Sequence, residues 1–382
     1  MFPMSQFLKS INLSNFRNYH GDDHQFDFYK QQVFIIGPNA TGKSNLLEAI
    51  QHLSFGAETA RELEKQILNL QATQPFFSLK ADFECYGRDF RVDYASGSGR
   101  KSLKINGVKY RSLGEAKDEL LKTVTFRAKE SLEIVRGSPG KRREWLDLTL
   151  SLLDVSYRDN LRRYEAALEQ RNALLKSFLE GKRARASVID ELQPWNQELA
   201  IYGCEVQAKR LAFLERSQAD YASYYCQIAG SERLEKASIQ YEPCGKLFSS
   251  VNDFVQLLEE KQTVDLMRAQ TSVGPHRDDF VFVIDGQEAR HYASQGQQRT
   301  SALALKLLQL SSWRIKLGYS PILLLDDVAA ELDLERQKCM FASLPADSQI
   351  FLTTTHLVSL PSSLIDNFQI INLQRIFQNK DD

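Results

Sequence analysis

The hydrophobic positions of this chain follow two patterns, which separate its ends from its middle. Near both ends, short apolar runs stand between polar or glycine-rich segments, as in buried strands; the clearest are 33–36, VFII, and 322–325, ILLL. From about residue 142 to 228, the apolar residues instead recur with the spacing of amphipathic helices. The pattern therefore predicts an α/β core that is interrupted by a helical insertion.

Further elements extend this prediction. The insertion is expected to hold two antiparallel helices joined by the basic turn GKRARAS, 181–187, with the second helix bent near Pro194. A hairpin is expected where Asn106 and Gly107 supply the positive φ angles of a tight turn. Helices are predicted at 43–54 and 297–315, and strands within 7–13, 76–96, 101–112, 278–292, 321–327, 349–355 and 368–373.

Composition narrows the class of protein. The chain has 382 residues, 43% of them hydrophobic, and a net charge of −1, so any nucleic-acid surface must be a local patch. The five cysteines are scattered without a Cys-x-x-Cys pair, which predicts a reduced cytoplasmic protein without disulfides or zinc. No apolar run approaches the roughly 20 residues of a membrane helix, and the first residues lack the pattern of a signal peptide.

The segment GPNATGKS, residues 37–44, fits the phosphate-loop pattern G-x-x-x-x-G-K-[ST] between a predicted strand and a predicted helix. Its glycines allow backbone N–H groups to point at phosphates, Lys43 would reach the β and γ phosphates, and the Ser44 hydroxyl would bind Mg²⁺. A chance glycine-rich turn is the alternative. The predicted nucleotide-binding residues are Gly37, Pro38, Asn39, Ala40, Thr41, Gly42, Lys43, Ser44 and Asn45.

Two acids complete the predicted catalytic site. Asp326 stands at the carboxyl end of the 322–325 strand, where it would hold Mg²⁺ with Ser44, and Asp327 would polarise the attacking water. Asp327 and Lys43 are therefore the predicted catalytic residues. The alternative is a buried strand that ends in two solvated carboxylates.

A third element precedes a predicted helix. Ser294 and Gly296 can present a hydroxyl group and bare N–H groups to an anion, although a plain helix N-cap is the alternative. Because the chain already contains a phosphate loop and an acid pair, this element suggests contact with a nucleotide held by a second copy of the chain.

Six segments together resemble one family. Ser294 and Gly296 resemble the signature motif of ATP-binding-cassette proteins, the class that includes SMC-type proteins, and AELD at 330–333 resembles the loop after the metal-binding acid. The order of the segments and the chain length then resemble the RecF family. The segments are NFRNY (15–19), GPNATGKSNLLEAI (37–50), GSPGKRREWLD (137–147), GPHRDDF (274–280), SQGQQRT (294–300) and LLLDDVAAELD (323–333).

The resemblance implies a fold and a domain plan. The expected fold class is α/β, an ABC/SMC-head-like P-loop ATPase core with a mixed sheet, flanking helices, a β subdomain and an inserted helical lobe. The expected domains are the first part of the ATPase lobe at 1–125, the helical lobe at 126–265, and the second part of the core with the signature and Walker B motifs at 266–382.

The resemblance also implies an activity. The chain would bind ATP and Mg²⁺, form a homodimer around ATP, bind DNA, and hydrolyse ATP slowly with stimulation by DNA. With RecR and RecO it would help load RecA at single-strand gaps and stalled forks. It would act in DNA replication, recombination, repair and the SOS response, and it would lie in the cytoplasm, associated with the nucleoid. In trans, Ser294, Gly296 and Gln297 would meet the γ-phosphate, and Asp333 would couple the two sites.

The predicted DNA contact is the basic group Lys141, Arg142 and Arg143, whose charges would neutralise phosphate without reading sequence. The alternatives are a solvated helix face, or pairing of Arg142 and Arg143 with carboxylates.

Several assignments stay open. Where most relatives have Pro-Glu-Asp before the GSPG segment, this chain has Ala128-Lys129-Glu130. The family often has an arginine after the P-loop helix, for which Arg61 is a weak candidate. Cassette ATPases often have a switch histidine after the last core strand, and Thr355 or His356 would take that place here. The rival functions are a transporter ATPase subunit with a membrane partner, a full SMC protein, and a P-loop kinase. The chain lacks the heptad repeats of an SMC protein, and a kinase would not need Ser294.

Overall fold

The computed structural model describes residues 6–21, 24–55, 67–69, 72, 76–230, 235–328, 334–355 and 368–374. The chain divides into two compact units. Unit 1 comprises Met1–Ser131 and Lys306–Asp382, and unit 2 comprises Leu132–Leu305.

Strands dominate the first third of the described chain, and helices dominate its middle. The strands are β1 Phe7–Ser14, β2 His24–Asp27, β3 Gln32–Ile36, β4 Phe76–Cys85, β5 Arg88–Gly97, β6 Arg100–Ile105, β7 Val108–Tyr110, β8 Thr123–Arg127, β9 Ala237–Glu242, β10 Asp279–Ile284, β11 Gln287–Glu288, β12 Ile322–Asp326, β13 Ile350–Thr354 and β14 Gln369–Asn372. The helices are α1 Lys43–His52, α2 Ala128–Arg136, α3 Pro139–Leu153, α4 Val155–Leu179, α5 Arg185–Arg216, α6 Gln218–Ala229, α7 Val251–Arg268, α8 Ala289–Tyr292, α9 Gln295–Leu317 and α10 Leu334–Ser343.

Unit 1 contains two sheets. One is a five-stranded parallel sheet of order β14-β3-β13-β12-β8, whose inner strands β3, β12 and β13 are mainly apolar because both of their faces are buried. The other is a six-stranded antiparallel sheet of order β2-β1-β4-β5-β6-β7, whose strands alternate buried and exposed residues. Side chains of α1, including Leu46 and Ile50, belong to the same hydrophobic core as residues of both sheets. The two sheets therefore share one core in unit 1.

Unit 2 contains long helices and a small antiparallel sheet of order β11-β10-β9. Helices α4, α5 and α7 pack closely at Gly203, where an added Cβ would lie 2.5 Å from Cε1 of Phe254 and 3.0 Å from Cε2 of Tyr164. Even one methyl group would therefore force these helices apart.

The structure departs from the predicted pattern in several places. The predicted return helix is two helices, α5 and α6, separated at Ser217. Pro194 lies inside α5, and the predicted bend there stays a prediction. The break lets Gln218 exchange side-chain hydrogen bonds with the backbone of Ile239 in β9, a tertiary contact that the helical pattern does not contain. The pattern also missed the strands β2, β8 and β9 and the helices α2, α7 and α10.

The predicted helical lobe, 126–265, is narrower than unit 2. Unit 2 continues to Leu305 because β10 pairs with β9 and packs on the helices. The ring centroids of Phe280 in β10 and Trp145 in α3 lie 5.7 Å apart. The segment with Ser294 consequently groups with the helices.

Candidate nucleotide-binding site

The phosphate loop, residues 37–44, connects β3 to α1 in unit 1. Gly42 has a φ of 93°, and Ala40 also has a positive φ, of 66°. A Cβ on Gly42 would lie 2.6 Å from Nδ2 of Asn18, and one on Gly37 would lie 2.7 Å from Oγ1 of Thr41. A Cβ at either position would therefore displace a neighbouring side chain, and the left-handed backbone of Gly42 also favours glycine.

Lys43 is the first residue of α1, and its ammonium group folds back over the loop. Its Nζ donates hydrogen bonds to the carbonyl oxygens of Gly37 (2.7 Å) and Pro38 (2.8 Å). Burial lowers the pKa of Lys43, and this shift is opposed by the negative charges of Asp327 and Asp326. The ammonium group of Lys43 is thus close enough to Asp326 and Asp327 to feel their charges. A bound phosphate group can replace the carbonyl oxygens as the acceptor of its hydrogen bonds.

Asp326 ends β12, and it accepts two hydrogen bonds on one oxygen. Ser44 Oγ donates to Asp326 Oδ1 at 2.9 Å, and Thr353 Oγ1 donates to the same atom at 2.7 Å. Thr353 Oγ1 also accepts a hydrogen bond from the backbone N–H of Asp327 at 2.9 Å. Asp327 has a φ of 55°, so the chain turns sharply directly after Asp326. The buried Thr353, which the sequence did not single out, holds both acids in position.

These side chains surround one cleft of about 200 Å³. The cleft is lined by Asn39, Ala40, Gly42, Lys43, Ser44, Asn45, Asp326, Asp327 and Thr353. A hydroxyl and a carboxylate oxygen, 2.9 Å apart in Ser44 and Asp326, are the donors that Mg²⁺ prefers. With the phosphate loop and Lys43 beside them, the residues present fit a magnesium-bound nucleoside triphosphate.

The segment NFRNY packs against the phosphate loop, which the sequence alone did not reveal. The Tyr19 hydroxyl donates to the Gly42 carbonyl oxygen at 3.0 Å, and Asn45 Nδ2 donates to Asn18 Oδ1 at 2.7 Å. The Arg17 guanidinium forms two hydrogen bonds with Glu48 in α1, at 2.6 and 3.0 Å. This segment therefore fixes the start of α1 from outside the loop.

The predicted trans-acting residues lie in unit 2, at the start of α9. The backbone N–H of Gln297 donates to Ser294 Oγ at 3.3 Å, and the N–H of Ser294 donates to Gln297 Oε1 at 2.8 Å. This reciprocal pattern is a capping box, so the N-cap alternative describes the local geometry. Ser294 is nevertheless exposed, and Gly296 is half-buried. The first turn of α9 can therefore be reached from solvent.

The predicted DNA contact is wrong for Arg142. Its guanidinium is 2% exposed and pairs with the carboxylate of Asp279 at 2.7 and 2.8 Å, while donating to backbone carbonyls such as Gly137 at 3.0 Å. Arg143 donates to the Asp278 carbonyl oxygen at 2.7 Å, and exposed Lys141 pairs with Glu144. The carboxylate alternative thus applies to Arg142, and contacts of Lys141 and Arg143 with DNA stay a prediction.

Some predicted residues lie outside the described part of the chain. They are Arg61, Asp333 and His356. Thr355 is described and follows β13 at the same edge of the sheet as Asp326, where it is half-buried.

No helix of the described residues is long and apolar enough to cross a membrane. The same residues contain no cluster of three or more His, Cys, Asp or Glu side chains placed to bind a metal ion.

Comparison with known proteins agrees with this geometry. Residues 7–368 match the family model described as RecF/RecN/SMC N terminal domain. The DNA replication and repair protein RecF of Agathobacter rectalis is 37% identical over 92% of this chain and 92% of its own length. The chain belongs to the RecF family.

Other relatives of the RecF family show the same extent of similarity. RecF of Thermosynechococcus vestitus is 36% identical over 96% of this chain and 95% of its own. A solved structure of the recombination mediator protein RecF with ATP, in the RecFOR pathway, has a TM-score of 0.81 and 32% identity over 94% of this chain and 95% of its own. A Pyrococcus furiosus Smc head domain has a TM-score of 0.51 and 15% identity over 96% of this chain and 93% of its own, so it shows the fold alone. The predicted fold class, a P-loop ATPase core like those of SMC heads, is confirmed.

Proposed function

We propose that this chain binds Mg²⁺-ATP in the cleft of unit 1, pairs with a second copy around the nucleotide, and holds DNA in the paired state. The broader part of this function follows from the family: the chain is an ATP-binding ATPase of DNA replication and repair. The observation that supports the proposal most directly is the convergence of Lys43, Ser44 and Asp326 on one cleft.

Each residue of the cleft has a proposed task. The N–H groups of the loop and the Lys43 ammonium group would hold the phosphates. Ser44 and Asp326 would hold Mg²⁺, which when bound neutralises phosphate charge. Asp327 would orient the attacking water, and Thr353 would keep both acids in place. An aspartate here, shorter than the glutamate of faster cassette ATPases, fits slow hydrolysis, which would release the pair.

The second copy would supply Ser294, Gly296 and Gln297. Because the hydrogen bond from the Gln297 N–H to Ser294 Oγ is long, at 3.3 Å, this N–H group can turn to a γ-phosphate at small cost. Asp333 would couple the two sites.

The finer role rests on the relatives. The RecF of the solved structure is a recombination mediator in the RecFOR pathway, and we extend this role to the present chain. With RecR and RecO it would help load RecA at single-strand gaps and stalled forks, on the nucleoid in the cytoplasm. The family match over residues 7–368 favours neither the transporter nor the kinase alternative.

Sedimentation with Mg²⁺ and ATP, with and without a DNA duplex and at two salt concentrations, tests the proposal. The unaltered chain should change from monomer to dimer with ATP and carry DNA at low salt. Ser294→Arg should bind ATP normally but remain a monomer, since it places bulk and charge at the γ-phosphate.

Ser250→Arg is the matched control. Ser250 is also a serine N-cap in unit 2, accepting the Asp253 N–H at 3.2 Å, so its replacement removes a similar cap. This variant should still form the dimer. Normal ATP-dependent dimerisation by Ser294→Arg would show that the two-copy site is wrong.

A further inference from the structure

The antiparallel sheet of unit 1 has one face in the core and one face in solvent, and the solvent face carries a cross-strand row of three lysines and one aspartate. In the register of β4 to β7, Lys80 lies opposite Asp93, Asp93 opposite Lys104, and Lys104 opposite Lys109. All three lysines are exposed. Neighbouring strands are about 4.8 Å apart, so the row from Lys80 to Lys109 crosses about 14 Å of sheet.

Arg100 adds a fourth cation to this face. It lies two and four residues before Ser102 and Lys104 on β6, and is exposed. Between Arg100 and the lysine row are only small side chains, since Ser78, Ala95 and Ser102 lie opposite one another on β4, β5 and β6. We name the four cations, Lys80, Arg100, Lys104 and Lys109, the sheet-face patch.

Among the described residues, the four cations of the patch share one neighbouring carboxylate, that of Asp93. In the described part of the chain, none of its four members forms a hydrogen bond or an ion pair through its side chain, and Asp93 is the one carboxylate in the row. Lys104 and Lys109 are like charges directly opposite each other, an arrangement that destabilises a sheet. The stability of the sheet therefore gives no reason for the Lys104–Lys109 pair.

The other end of the same face behaves differently. There, Lys9 pairs with Asp89 at 2.6 Å and Glu84 at 3.0 Å, and Arg91 pairs with Asp82 at 2.9 Å. Cations at that end satisfy the carboxylates of the sheet, whereas those of the patch have no such partners among the residues that the structure describes. The unpaired charge is therefore local to one region of the face.

We propose that the sheet-face patch binds the phosphate backbone of DNA. The inference rests on the proposed function, which requires a DNA surface, and it moves that surface from α3 to the sheet. Duplex DNA carries a charge per about 1.7 Å of its axis, so a run of about 14 Å faces several phosphates. The lysines would contact these phosphates without reading bases, and the serine hydroxyls beside them can donate hydrogen bonds to phosphate oxygens.

The test compares two triple variants in fluorescence anisotropy with a labelled DNA duplex, Mg²⁺ and ATP at several salt concentrations. Lys80→Gln, Lys104→Gln and Lys109→Gln together should lower affinity at least tenfold at about 0.1 M salt. They should also reduce the slope of log affinity against log salt by about 3, or about 1 for each phosphate that is no longer neutralised. ATP binding and ATP-dependent dimerisation should be unchanged.

The control makes the same charge change elsewhere. Lys176, Lys182 and Lys338 are exposed lysines whose charges are already paired with glutamates, so their replacement by Gln should leave the affinity for DNA within about twofold. Equal losses of affinity in both triple variants, or normal binding by the sheet variant, would overturn the patch while leaving the ATP-dependent clamp intact. If the unaltered chain binds no DNA with ATP, the proposed function fails, and the patch fails with it.

Discussion

The buried arginines of unit 2 and the phosphate-loop cleft of unit 1 use charged side chains in different ways. In unit 2, buried arginines are matched with carboxylates: Arg171 with Asp265 and Arg210 with Asp147, at 2.8 and 2.7 Å. In the phosphate-loop cleft of unit 1, Lys43 and Asp326 are not paired with each other or with another charged side chain among the contacts described. Lys43 donates only to carbonyl oxygens among the hydrogen bonds described, and Asp326 accepts only from hydroxyl groups. The difference suggests that paired buried charges hold unit 2 together, whereas the charges of Lys43 and Asp326 are available to a ligand.

The segment GPHRDDF shows how far pairing extends in unit 2. Asp278 accepts hydrogen bonds from Gln207, at 3.0 Å, from the Tyr241 hydroxyl, and from the backbone N–H of Cys244, at 2.7 Å. Asp279 binds Arg142. A segment that carries the family resemblance is thus a structural junction of unit 2, with its acids fully engaged in the fold.

The largest expected effect comes from breaking a buried pair. Both side chains of the Arg171–Asp265 pair are 0% exposed, so Arg171→Met would leave a buried, unpaired carboxylate and should lower the free energy of unfolding by about 3–5 kcal/mol. Lys176→Met, on the same helix, removes an exposed pair with Glu180 at 3.9 Å and should cost less than about 0.5 kcal/mol. Urea denaturation measures both. Equal effects would show that pairing in unit 2 does not stabilise it.

The next effect concerns the cleft. Lys43→Met should weaken ATP binding about 100-fold, since it removes charge-assisted hydrogen bonds to phosphate. The thermal unfolding midpoint without nucleotide should not fall, because the ammonium group is desolvated and its loss removes no ion pair described in the structure. Thermal scans with and without ATP check both statements. A large loss of stability without ATP would mean that Lys43 has a structural role like that of Arg171.

The smallest effect is a pH dependence of unit 2. His276 binds the Tyr164 hydroxyl through Nδ1 at 2.6 Å and the Thr271 carbonyl oxygen through Nε2 at 3.0 Å. Burial, with Arg277, Arg143 and Arg171 nearby, lowers the pKa of His276 to about 4. The folded protein therefore favours the neutral ring of His276. The contribution of this ring to the free energy of unfolding is fully present above pH 6.5 and is lost as the pH falls towards 4.

Stability should accordingly fall by about 2 kcal/mol between pH 7 and pH 5 through this residue. Urea denaturation at the two pH values should show a smaller change for His276→Gln than for the unaltered chain. His291→Gln, at an exposed histidine, is the control. An identical pH dependence in His276→Gln would exclude His276 as the cause.

Prediction from sequence succeeded where a local pattern is sufficient. The strand, glycine-rich loop and helix at 33–52 were predicted because backbone conformation there depends on neighbouring residues. Ser44 and Asp326 are 282 positions apart, and the sequence predicted that both would hold Mg²⁺. They lie together because the carboxyl ends of parallel strands share one edge of the sheet. The role of Thr353 was not predicted, because a threonine in an apolar strand has no distinguishing signal.

The sequence by itself determined the family, the parallel core and the chemistry of the loop, since periodicity and motifs are local properties of the chain. Only the tertiary structure decided which charges are available. Arg142 and Lys104 are equally basic in the sequence, yet one is buried against Asp279 and the other is exposed beside Lys109. Burial and pairing depend on residues distant in the chain; Arg142 and Asp279 are 137 positions apart. For that reason the sequence assigned the whole basic group in α3 to DNA, although Arg142 is buried against Asp279.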